Sequence, residues 1–407
     1  MRSDPVAVVG AGVKAPGGTT VDGLWETVCA GRSVAETWTD PRLPADTRVL
    51  VSRVAGFRPE DYLSPAEIRR LDRVHQLAVG AAQDAVDAAG GPLPPAERCG
   101  VVCGVGFGAT ATHEAQQERL LRGGLRGLGP LAIPLVMPNA AASLLSMRFG
   151  FTGPCLTVST ACASGATAIG QAVELLRRGA ADLVLAGGAD GMITFAALCG
   201  FLRLDAMSRR IDDPTTASRP FGADRDGFVM GEGAGFVVLR RASDVAGQEV
   251  LGTVCGYGTT ADAHHLVAPR PDGREAQRCM RLALQDAGME PDAVGHVNAH
   301  GTSTPVGDAA EAAAIRGLFG VPPPVTAVKG TTGHLMGASG PVEAIVTLRS
   351  VRERAVPPVA GLPCSDPALG LDVVIGQVRR VGGGAALSNS FGFGGVNVSL
   401  VLGEGPT

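Results

Sequence analysis

The sequence is poor in aromatic residues and in charge, and both shortages narrow its possible functions. Of its 407 residues, 4% are aromatic and 18% are charged, while 45% are hydrophobic. The formal net charge is −4, which gives no support to nucleic-acid binding. This composition is that of an ordinary globular protein, and the length allows about two or three domains.

The sequence also lacks any C-x-x-C pair, although it contains nine cysteines. The cysteines are scattered and most lie in apolar runs, a pattern typical of reduced thiols in a cytoplasm. It argues against a disulfide framework and against a zinc site. We therefore expect a cytoplasmic protein without a structural metal.

Two stretches without charge, residues 127–147 and 149–173, are long enough to raise the question of a membrane span. Three prolines interrupt the first and Pro154 interrupts the second, so a spanning helix is not expected. We expect both stretches to be buried in protein, the first at a subunit interface. A strand at residues 6–9 follows Met1 closely, so no signal peptide is expected either.

Strand and helix patterns alternate along the chain, which predicts α/β layers with mostly parallel strands covered on both faces. The first strand leads into Gly10-Ala11-Gly12, but the G-x-G-x-x-G spacing of a dinucleotide site is absent. The composition turns polar near residues 243–250, which predicts a join between residues 1–246 and 247–407. The patterns leave open whether these two halves are similar.

The stretch Ser159–Gly165 is the centre of the functional prediction. It lies between a predicted strand at residues 155–158 and apolar residues at helical spacing from 166 to 176. Cys162 is thereby placed at the positive end of a helix, where unpaired N–H groups lower a thiol's pKa and bind an oxyanion. A core cysteine is the alternative, and this stretch alone does not separate the two.

Two histidines stand out, because each follows a predicted strand and lies in a loop of Gly and Thr. His300 opens the loop 301–307 and His334 follows Gly330–Gly333. Ligands bind at the carboxyl ends of strands in open α/β sheets. Neither histidine has a second metal ligand at helical spacing, so acid–base or hydrogen-bonding work is favoured. A glycine-rich segment, Asn389–Asn397, lets the backbone approach a ligand closely.

Taken together and in this order, these stretches resemble the β-ketoacyl synthases of the thiolase superfamily. The resemblance covers about residues 5 to 403, and the matching motifs are Thr160–Gly165, Ala217–Phe221, Arg225–Val229, Asn298–Pro305, Lys329–His334 and Asn389–Gly395. It implies a thiolase-like fold, in which two similar α/β halves form five layers, α-β-α-β-α. Cys162 belongs to the first half, and His300, Lys329 and His334 to the second.

The chain is most similar to stand-alone condensing enzymes of the elongating type. Pro16-Gly17-Gly18 and Leu24-Trp25-Glu26, however, look more like polyketide synthase modules. The mixture suggests a dissociated, type II system for polyketides at least as much as for fatty acids.

The resemblance implies an acyltransferase that condenses an acyl group with malonyl-acyl carrier protein. Cys162 would hold the acyl group as a thioester, while His300 and His334 would donate Nε2–H bonds to the enolate oxygen. The N–H groups of Cys162 and Phe393 would form a second oxyanion site. No permanently bound cofactor is implied, since the 4'-phosphopantetheine arm of the carrier protein brings in the substrate.

The resemblance also implies supporting residues around these groups. Lys329 would orient the histidines, Glu343 would belong to the polar network behind them, and Asp308 and Glu311 would buttress Lys329. Read from the sequence alone, Asp308 with Glu311 also fits a helix cap. Pro341 lies where relatives often continue a helix, so the helix would start or kink there.

Other residues would bind the carrier's arm or shape the acyl pocket. Thr302 and Thr304 would hydrogen-bond the amides of the arm, Phe393 would gate the acyl pocket, and Phe107 would lie near its floor. Arg210 would stand at the entrance, and four further arginines nearby could meet an acidic carrier protein: Arg69, Arg70, Arg203 and Arg209.

One alternative function is a non-catalytic partner subunit, similar to a chain-length factor, that shapes the pocket of a ketosynthase heterodimer. Such subunits usually lack the cysteine, whereas this chain keeps Cys162, His300, His334 and Lys329. A biosynthetic thiolase would need a second catalytic cysteine near its C-terminus, and Cys364 is not in such a setting. We expect a dimer, either of two copies or with a chain-length-factor homologue, and residues 133–139 of the partner would help to set pocket depth.

Overall fold

The structure, a computed structural model, describes residues 5–44 and 47–405; the outermost residues of the two predicted halves, 1–4 and 406–407, lie outside the described residues. The described strands are β1 (Val6–Lys14), β2 (Glu36–Trp38), β3 (Val49–Ser52), β4 (Cys99–Gly104), β5 (Cys155–Val158), β6 (Leu183–Gly191), β7 (Met230–Arg241), β8 (Gly252–Ala261), β9 (Val294–Asn298), β10 (Val325–Thr326), β11 (Ala355–Val356), β12 (Arg379–Arg380), β13 (Ala385–Gly392) and β14 (Val396–Gly403). The helices are α1 (Val21–Cys29), α2 (Pro65–Arg70), α3 (Arg73–Ala89), α4 (Thr110–Gly123), α5 (Ala132–Val136), α6 (Ala140–Phe149), α7 (Ser164–Arg177), α8 (Phe195–Arg203), α9 (Arg274–Ala287), α10 (Pro305–Phe319), α11 (Lys329–Thr332) and α12 (Ser339–Glu353).

Ten strands follow one another in the order β10-β9-β13-β14-β8-β1-β7-β6-β4-β5. The order consists of two sets of five with the same pattern, which meet where β1 pairs with β8. Read from its outer edge, each set has two parallel pairings followed by two antiparallel ones. The prediction of mostly parallel strands is therefore wrong for half of each set. The first set is β1-β7-β6-β4-β5 and the second is β8-β14-β13-β9-β10. In the second set one antiparallel pairing arises from a tight turn between β13 and β14, which makes a hairpin.

Helices cover both faces of each set of strands, and two helices lie between the sets. α7 contacts β6 and β14, while α12 contacts β7 and β13, so these two helices form the central layer. α3 packs on β1 and β7 on one outer side, and α9 packs on β8 and β14 on the other. The result is the five-layered α-β-α-β-α arrangement that the sequence predicts.

Glycines in β1 and β8 let the outer helices come close to the strands. A Cβ atom added to Gly10 or Gly12 would lie 2.2 or 2.1 Å from a carbonyl oxygen of α3. Gly256 and Gly258 of β8 meet α9 in the same way, at 2.2 and 2.3 Å. The glycines after the first predicted strand thus serve helix packing, which explains why the dinucleotide spacing is absent.

Several apolar residues of 127–147 are exposed in the single chain, so burial of this stretch at a subunit interface stays a prediction. α6 buries one face through Ala140, Ala141, Ala142 and Leu145, and its other face is open. Ile133, Met137 and Met147 are 69%, 48% and 71% exposed. No helix in the described part of the chain is both long and apolar enough to cross a membrane.

Candidate active site

The nucleophile candidate lies in a tight turn between β5 and α7. Ala161 has a φ of 51°, a left-handed conformation that is uncommon for a residue with a side chain. The Ser164 hydroxyl holds the turn, because it accepts from the Thr160 N–H (2.9 Å) and donates to the Ala161 carbonyl oxygen (2.6 Å). Cys162 is thereby held just ahead of the α7 N-terminus and is 8% exposed.

Burial dominates the ionisation of this thiol. It raises the pKa of Cys162 to about 11, although the charge of Lys329 and the backbone N–H groups of Phe393 and Cys162 itself act in the opposite direction. The sequence-based expectation of a lowered pKa is therefore wrong as a net effect. The N–H groups favour the thiolate, but desolvation of the charged form outweighs them.

Two imidazole rings lie close together, and both are in the neutral form. His300 follows β9 and His334 follows α11, and their rings are 5.5 Å apart and nearly perpendicular, at 86°. Burial, followed by the positive charge of Lys329, holds the pKa of both histidines well below the ordinary value. Both rings are therefore neutral near pH 7.

The hydrogen bonds of the rings assign their tautomers. Lys329 Nζ lies 3.3 Å from His300 Nδ1, and the backbone N–H of Met336 donates to His334 Nδ1 at 3.3 Å. An ammonium group and a backbone N–H are donors only, so each Nδ1 accepts and each Nε2 carries the hydrogen. Both histidines thus present an Nε2–H donor.

A buried ion pair stands behind the imidazoles. Lys329 Nζ is 2.5 Å from Glu343 Oε1 and also donates to the His300 carbonyl oxygen at 2.6 Å. The two charged side chains are 1% and 2% exposed. Burial raises the pKa of Glu343 to about 7, against the lowering effect of Lys329. Pro341 lies in the first turn of α12, where proline is tolerated, so Glu343 is on a regular helix that begins at Ser339.

Two further carboxylates bind the loop that carries His300. Glu311 accepts from the N–H groups of His300 and Gly301, both at 2.8 Å, and from the Asn389 side chain at 3.1 Å. Asp308 accepts from the N–H groups of Ser303 (3.1 Å) and Phe221 (2.8 Å).

These contacts correct two expectations. Both carboxylates hold loop backbone, and the carboxylate that pairs directly with Lys329 belongs to Glu343. Asp308 lies inside the first turn of α10, whose N-cap residue is Thr304, so it is not the cap of that helix.

One cavity of about 240 Å³ joins these groups to the surface. Cys162, His300, His334 and Phe393 line it, and Phe393 is 36% exposed. The lining also includes Thr302, Thr304, Val306, Leu204 and Arg270. A thiol, two neutral imidazole donors and backbone N–H groups thus share one water-restricted space, which is suited to acyl transfer.

Comparison with known protein families decides the relationship. The family described as "Beta-ketoacyl synthase, N-terminal domain" matches residues 3–245, and "Beta-ketoacyl synthase, C-terminal domain" matches residues 251–362. The chain belongs to the β-ketoacyl synthase family. The resemblance and the prediction of an acyltransferase are confirmed.

Relatives and solved structures match the ketosynthase over nearly its whole length. It is 40% identical over 406 residues to a 3-oxoacyl-[acyl-carrier-protein] synthase 2 of Synechocystis sp., covering 98% of this chain and 97% of the relative. A type II PKS ketosynthase, solved with its acyl-carrier protein, superposes with a TM-score of 0.91 at 26% identity, covering 99% and 100% of the two chains. The ishigamide ketosynthase/chain length factor gives a TM-score of 0.90 at 31% identity and covers 99% of each chain. The thiolase-like fold is thereby confirmed.

Two sequence-predicted residues of the ketosynthase lie apart from this cavity. Phe107, in the loop after β4, is 66% exposed and is not among the residues that line the cavity. Arg210 is likewise absent from the lining, and its guanidinium pairs with Asp224. Thr302 and Thr304 do line the cavity, and their hydroxyls lie 3.0 Å from each other.

Sequence reasoning missed three polar residues that hold the walls of the ketosynthase cavity. Asp262 accepts from the Asn397 side chain (2.7 Å) and from the Arg270 N–H (2.8 Å), so it ties the Phe393 loop to residues 262–270. Ser339 lies 3.0 Å from His334 Nδ1. Asp190 binds two loops of the site. The amides that Asp190 binds and the Asn397 partner of Asp262 are distant in sequence, so no local pattern points to these two residues. Ser339 lies only five residues after His334.

Proposed function

We propose that this chain catalyses the decarboxylative Claisen condensation of an acyl group held on Cys162 with malonyl-acyl carrier protein. The pathway would be a dissociated, type II polyketide or fatty-acid system. The observation that carries the proposal is the shared cavity, which is lined by Cys162 and by two neutral imidazoles whose Nε2 atoms carry the hydrogen.

The first half-reaction loads Cys162. Its thiolate sulfur attacks the carbonyl carbon of an acyl thioester on the carrier's phosphopantetheine arm. The N–H groups of Cys162 and Phe393, which already favour negative charge at the sulfur, stabilise the oxyanion. The carbon–sulfur bond to the carrier then breaks, the carrier sulfur leaves and takes up the proton that the Cys162 thiol released on ionising, and a thioester to Cys162 remains.

The second half-reaction uses the histidines. The malonyl group loses its carboxylate as CO2, and the electron pair of the broken carbon–carbon bond forms an enolate. The Nε2–H groups of His300 and His334 donate to the enolate oxygen, and neutral donors suit this task because they need not lose a proton. The enolate carbon attacks the acyl carbonyl carbon, the bond to sulfur breaks, and Cys162 leaves as a thiolate.

The outer part of the cavity would hold the carrier's arm. The hydroxyls of Thr302 and Thr304 would hydrogen-bond its amides, and Phe393 would gate the acyl pocket; the lining of the cavity by all three residues supports these roles. No cofactor needs to be bound permanently. Arg210 and the arginines near the entrance would meet the acidic carrier protein, and the polyketide ketosynthase with the same fold is described as a complex with its acyl-carrier protein.

The exposed apolar face of α5 and α6 supports a dimer. β5 is the edge strand of its set, and its Leu156 is 42% exposed beside that face. We propose that a second copy, or a chain-length-factor homologue, covers this face. Phe107 of this chain would then lie near the floor of the acyl pocket, together with residues 133–139 of the partner. Two solved relatives are described as ketosynthases with a chain length factor.

The division into residues 1–246 and 247–407 is part of this proposal, with the nucleophile in the first half and the histidines in the second. A cytoplasmic location is also proposed, because all nine cysteines are free thiols, two of them exposed.

Intact-mass measurement tests the function. The chain is incubated with acyl-loaded carrier protein, and we expect the mass to rise by one acyl group in the parent and in the control Cys364→Ala, but not in Cys162→Ala. Malonyl-loaded carrier is then added, and the extended chain should appear on the carrier. Acylation that survives Cys162→Ala would contradict the assigned nucleophile. A parent that accepts no acyl group would favour the partner-subunit alternative.

A further inference from the structure

Asp190 is a fully buried carboxylate that binds only backbone in the described part of the chain. It stands one residue before the end of β6 and is 0% exposed. Oδ2 accepts from the N–H groups of Gly106 (2.9 Å) and Gly337 (2.7 Å). Oδ1 accepts from the N–H groups of Phe107 (3.1 Å) and Gly108 (3.2 Å). Among the described residues no Lys or Arg forms a salt bridge with it, so four amides hold the buried carboxyl.

The two glycines on Oδ2 are required by this close approach. A Cβ added to Gly106 would lie 2.6 Å from Oδ2, and one added to Gly337 would lie 2.7 Å from the same oxygen. The Gly337 Cβ would also lie 2.7 Å from the Gly106 nitrogen. The two loops are therefore packed against each other, with the carboxylate as their common acceptor.

One of these loops carries a histidine of the site. Gly337 lies in a single 3₁₀ turn, Met336–Ala338, directly after His334. The same turn supplies the Met336 N–H that donates to His334 Nδ1. A shift of Gly337 would therefore move the group that fixes the tautomer and the direction of the imidazole.

The other loop carries Phe107 and leads back to the nucleophile. The carbonyl oxygen of its residue Val105 lies 3.3 Å from the Ser164 hydroxyl oxygen, a longer contact than the one to the Ala161 carbonyl oxygen. Ser164 is the residue that holds the turn around Cys162. Asp190 thus stands between the loop attached to the nucleophile and the turn attached to His334.

We propose that Asp190 is a positioning residue, which sets His334 at its working distance from Cys162 by fixing the Gly337 turn to the loop 105–108. The inference rests on the proposed function, since it assigns His334 to the decarboxylating half-reaction. Loading of Cys162 does not use His334, so loss of the carboxylate should slow decarboxylation more than loading.

Asp190→Asn tests this with almost no change in volume. An amide keeps one acceptor oxygen and replaces the other with a donor, so two of the four N–H groups lose their acceptor. We expect kcat for malonyl-carrier decarboxylation to fall about tenfold or more. KM for the malonyl carrier and the rate of acyl transfer to Cys162 should stay within about threefold of the parent.

Asp182→Asn is the matched control, because Asp182 stands at the other end of β6 and pairs with Arg98 and Arg241. It should lower stability without changing the ratio of the two half-reaction rates. Should Asp190→Asn not fold, the ratio of the loading rate to the decarboxylation rate is measured in Gly106→Ala instead. This variant displaces the loop 105–108 and keeps the Asp190 side chain.

Equal losses in both half-reactions, or no loss in a folded Asp190→Asn protein, would overturn the inference about Asp190. A parent enzyme that neither loads nor decarboxylates would instead contradict the proposed function itself.

Discussion

The two sets of five strands have the same order but place different chemistry at equivalent positions. In the first set the edge strand β5 leads to Cys162, and its neighbour β4 leads to the loop with Phe107. In the second set the edge strand β10 leads to Lys329 and His334, and its neighbour β9 leads to His300. β5, β9 and β10 thus lead to residues that line one cavity, whereas the loop after β4 is not part of its lining.

The groups contributed by the first set form the first side of the site, and those contributed by the second set form the second side. The two sides differ in the charged groups that they bury. The first side offers a thiol, backbone N–H groups and one carboxylate, Asp190, held by amides. The second side buries a Lys–Glu pair and two more carboxylates around its imidazoles. In the proposed function one side would hold the acyl group, and the other would keep two imidazoles neutral and oriented. If the comparison is right, each side can be damaged separately.

The largest expected effect comes from removing both imidazoles. In His300→Ala with His334→Ala, malonyl-carrier decarboxylation should fall about a thousandfold or more, because both donors to the enolate oxygen are lost. Acyl loading of Cys162 should fall less than about tenfold. Release of CO2 and intact mass report the two rates, with Cys162→Ala as the reciprocal control. A double variant that loses both activities equally would break the division between the two sides.

The next effect concerns the buried ion pair. Lys329→Ala leaves Glu343 without its cation, and the free energy of unfolding should fall by about 3–5 kcal/mol. Urea unfolding measures the loss. Asp205→Ala, which breaks an exposed pair with Arg209, is the control and should cost about 1 kcal/mol or less.

The same variant predicts a dependence on pH. Burial raises the pKa of Glu343 to about 7 even with Lys329 present, and without that cation it rises further. The folded variant then binds a proton that the unfolded chain releases near its ordinary pKa, so its stability falls as pH rises from about 5 to about 8. The parent shows the same fall up to about pH 7, so the loss relative to the parent should grow only above that pH. A loss that does not grow above about pH 7 would mean that Glu343 is not the group left uncompensated.

On the first side, burial of the thiol predicts how its reactivity depends on pH. Because the pKa of Cys162 is raised to about 11, its thiolate fraction grows about tenfold per pH unit below that value. Alkylation of the Cys162 peptide by iodoacetamide should therefore still be rising from about pH 6 to about pH 9. The Cys364 peptide in the same digest is the internal reference. A rate that levels off near neutral pH would show a thiol activated by the helix end, contrary to our finding.

The sequence was sufficient for the elements whose signals are local. The turn at Cys162, the strand-end histidines and the alternation of strands and helices all appear in short windows. The hairpin of β13 and β14 is local, but its short turn was not recognised. The antiparallel pairing of β7 with β1 was not predictable, because it joins strands far apart in the chain. The same holds for Asp190 and Asp262, whose partners are backbone and side-chain groups of distant loops. The pKa of Cys162 was mispredicted because the helix end is local, whereas burial depends on the whole fold.

The smallest expected effect on stability concerns the N-terminal caps of the two outer helices, α3 and α9. Asp72 caps α3 through its side chain, which accepts from the N–H groups of Val74 (3.2 Å) and Thr112 (2.7 Å) and is buried. The N-cap of α9 is Gly273, which has no side chain, and the preceding Asp272 is half exposed. Asp72→Ala should cost about 1–2 kcal/mol of unfolding free energy.

Asp272→Ala is the matched variant on the other side and should shift the urea midpoint less, because its exposed bonds from the Arg274 N–H (3.2 Å) and the Arg270 side chain (3.2 Å) are readily replaced by water. Since neither residue touches the cavity, both variants should keep the parent ratio of loading to decarboxylation. Equal shifts in the two midpoints would mean that the outer helices are anchored alike, and that the asymmetry between the two sides is confined to the site.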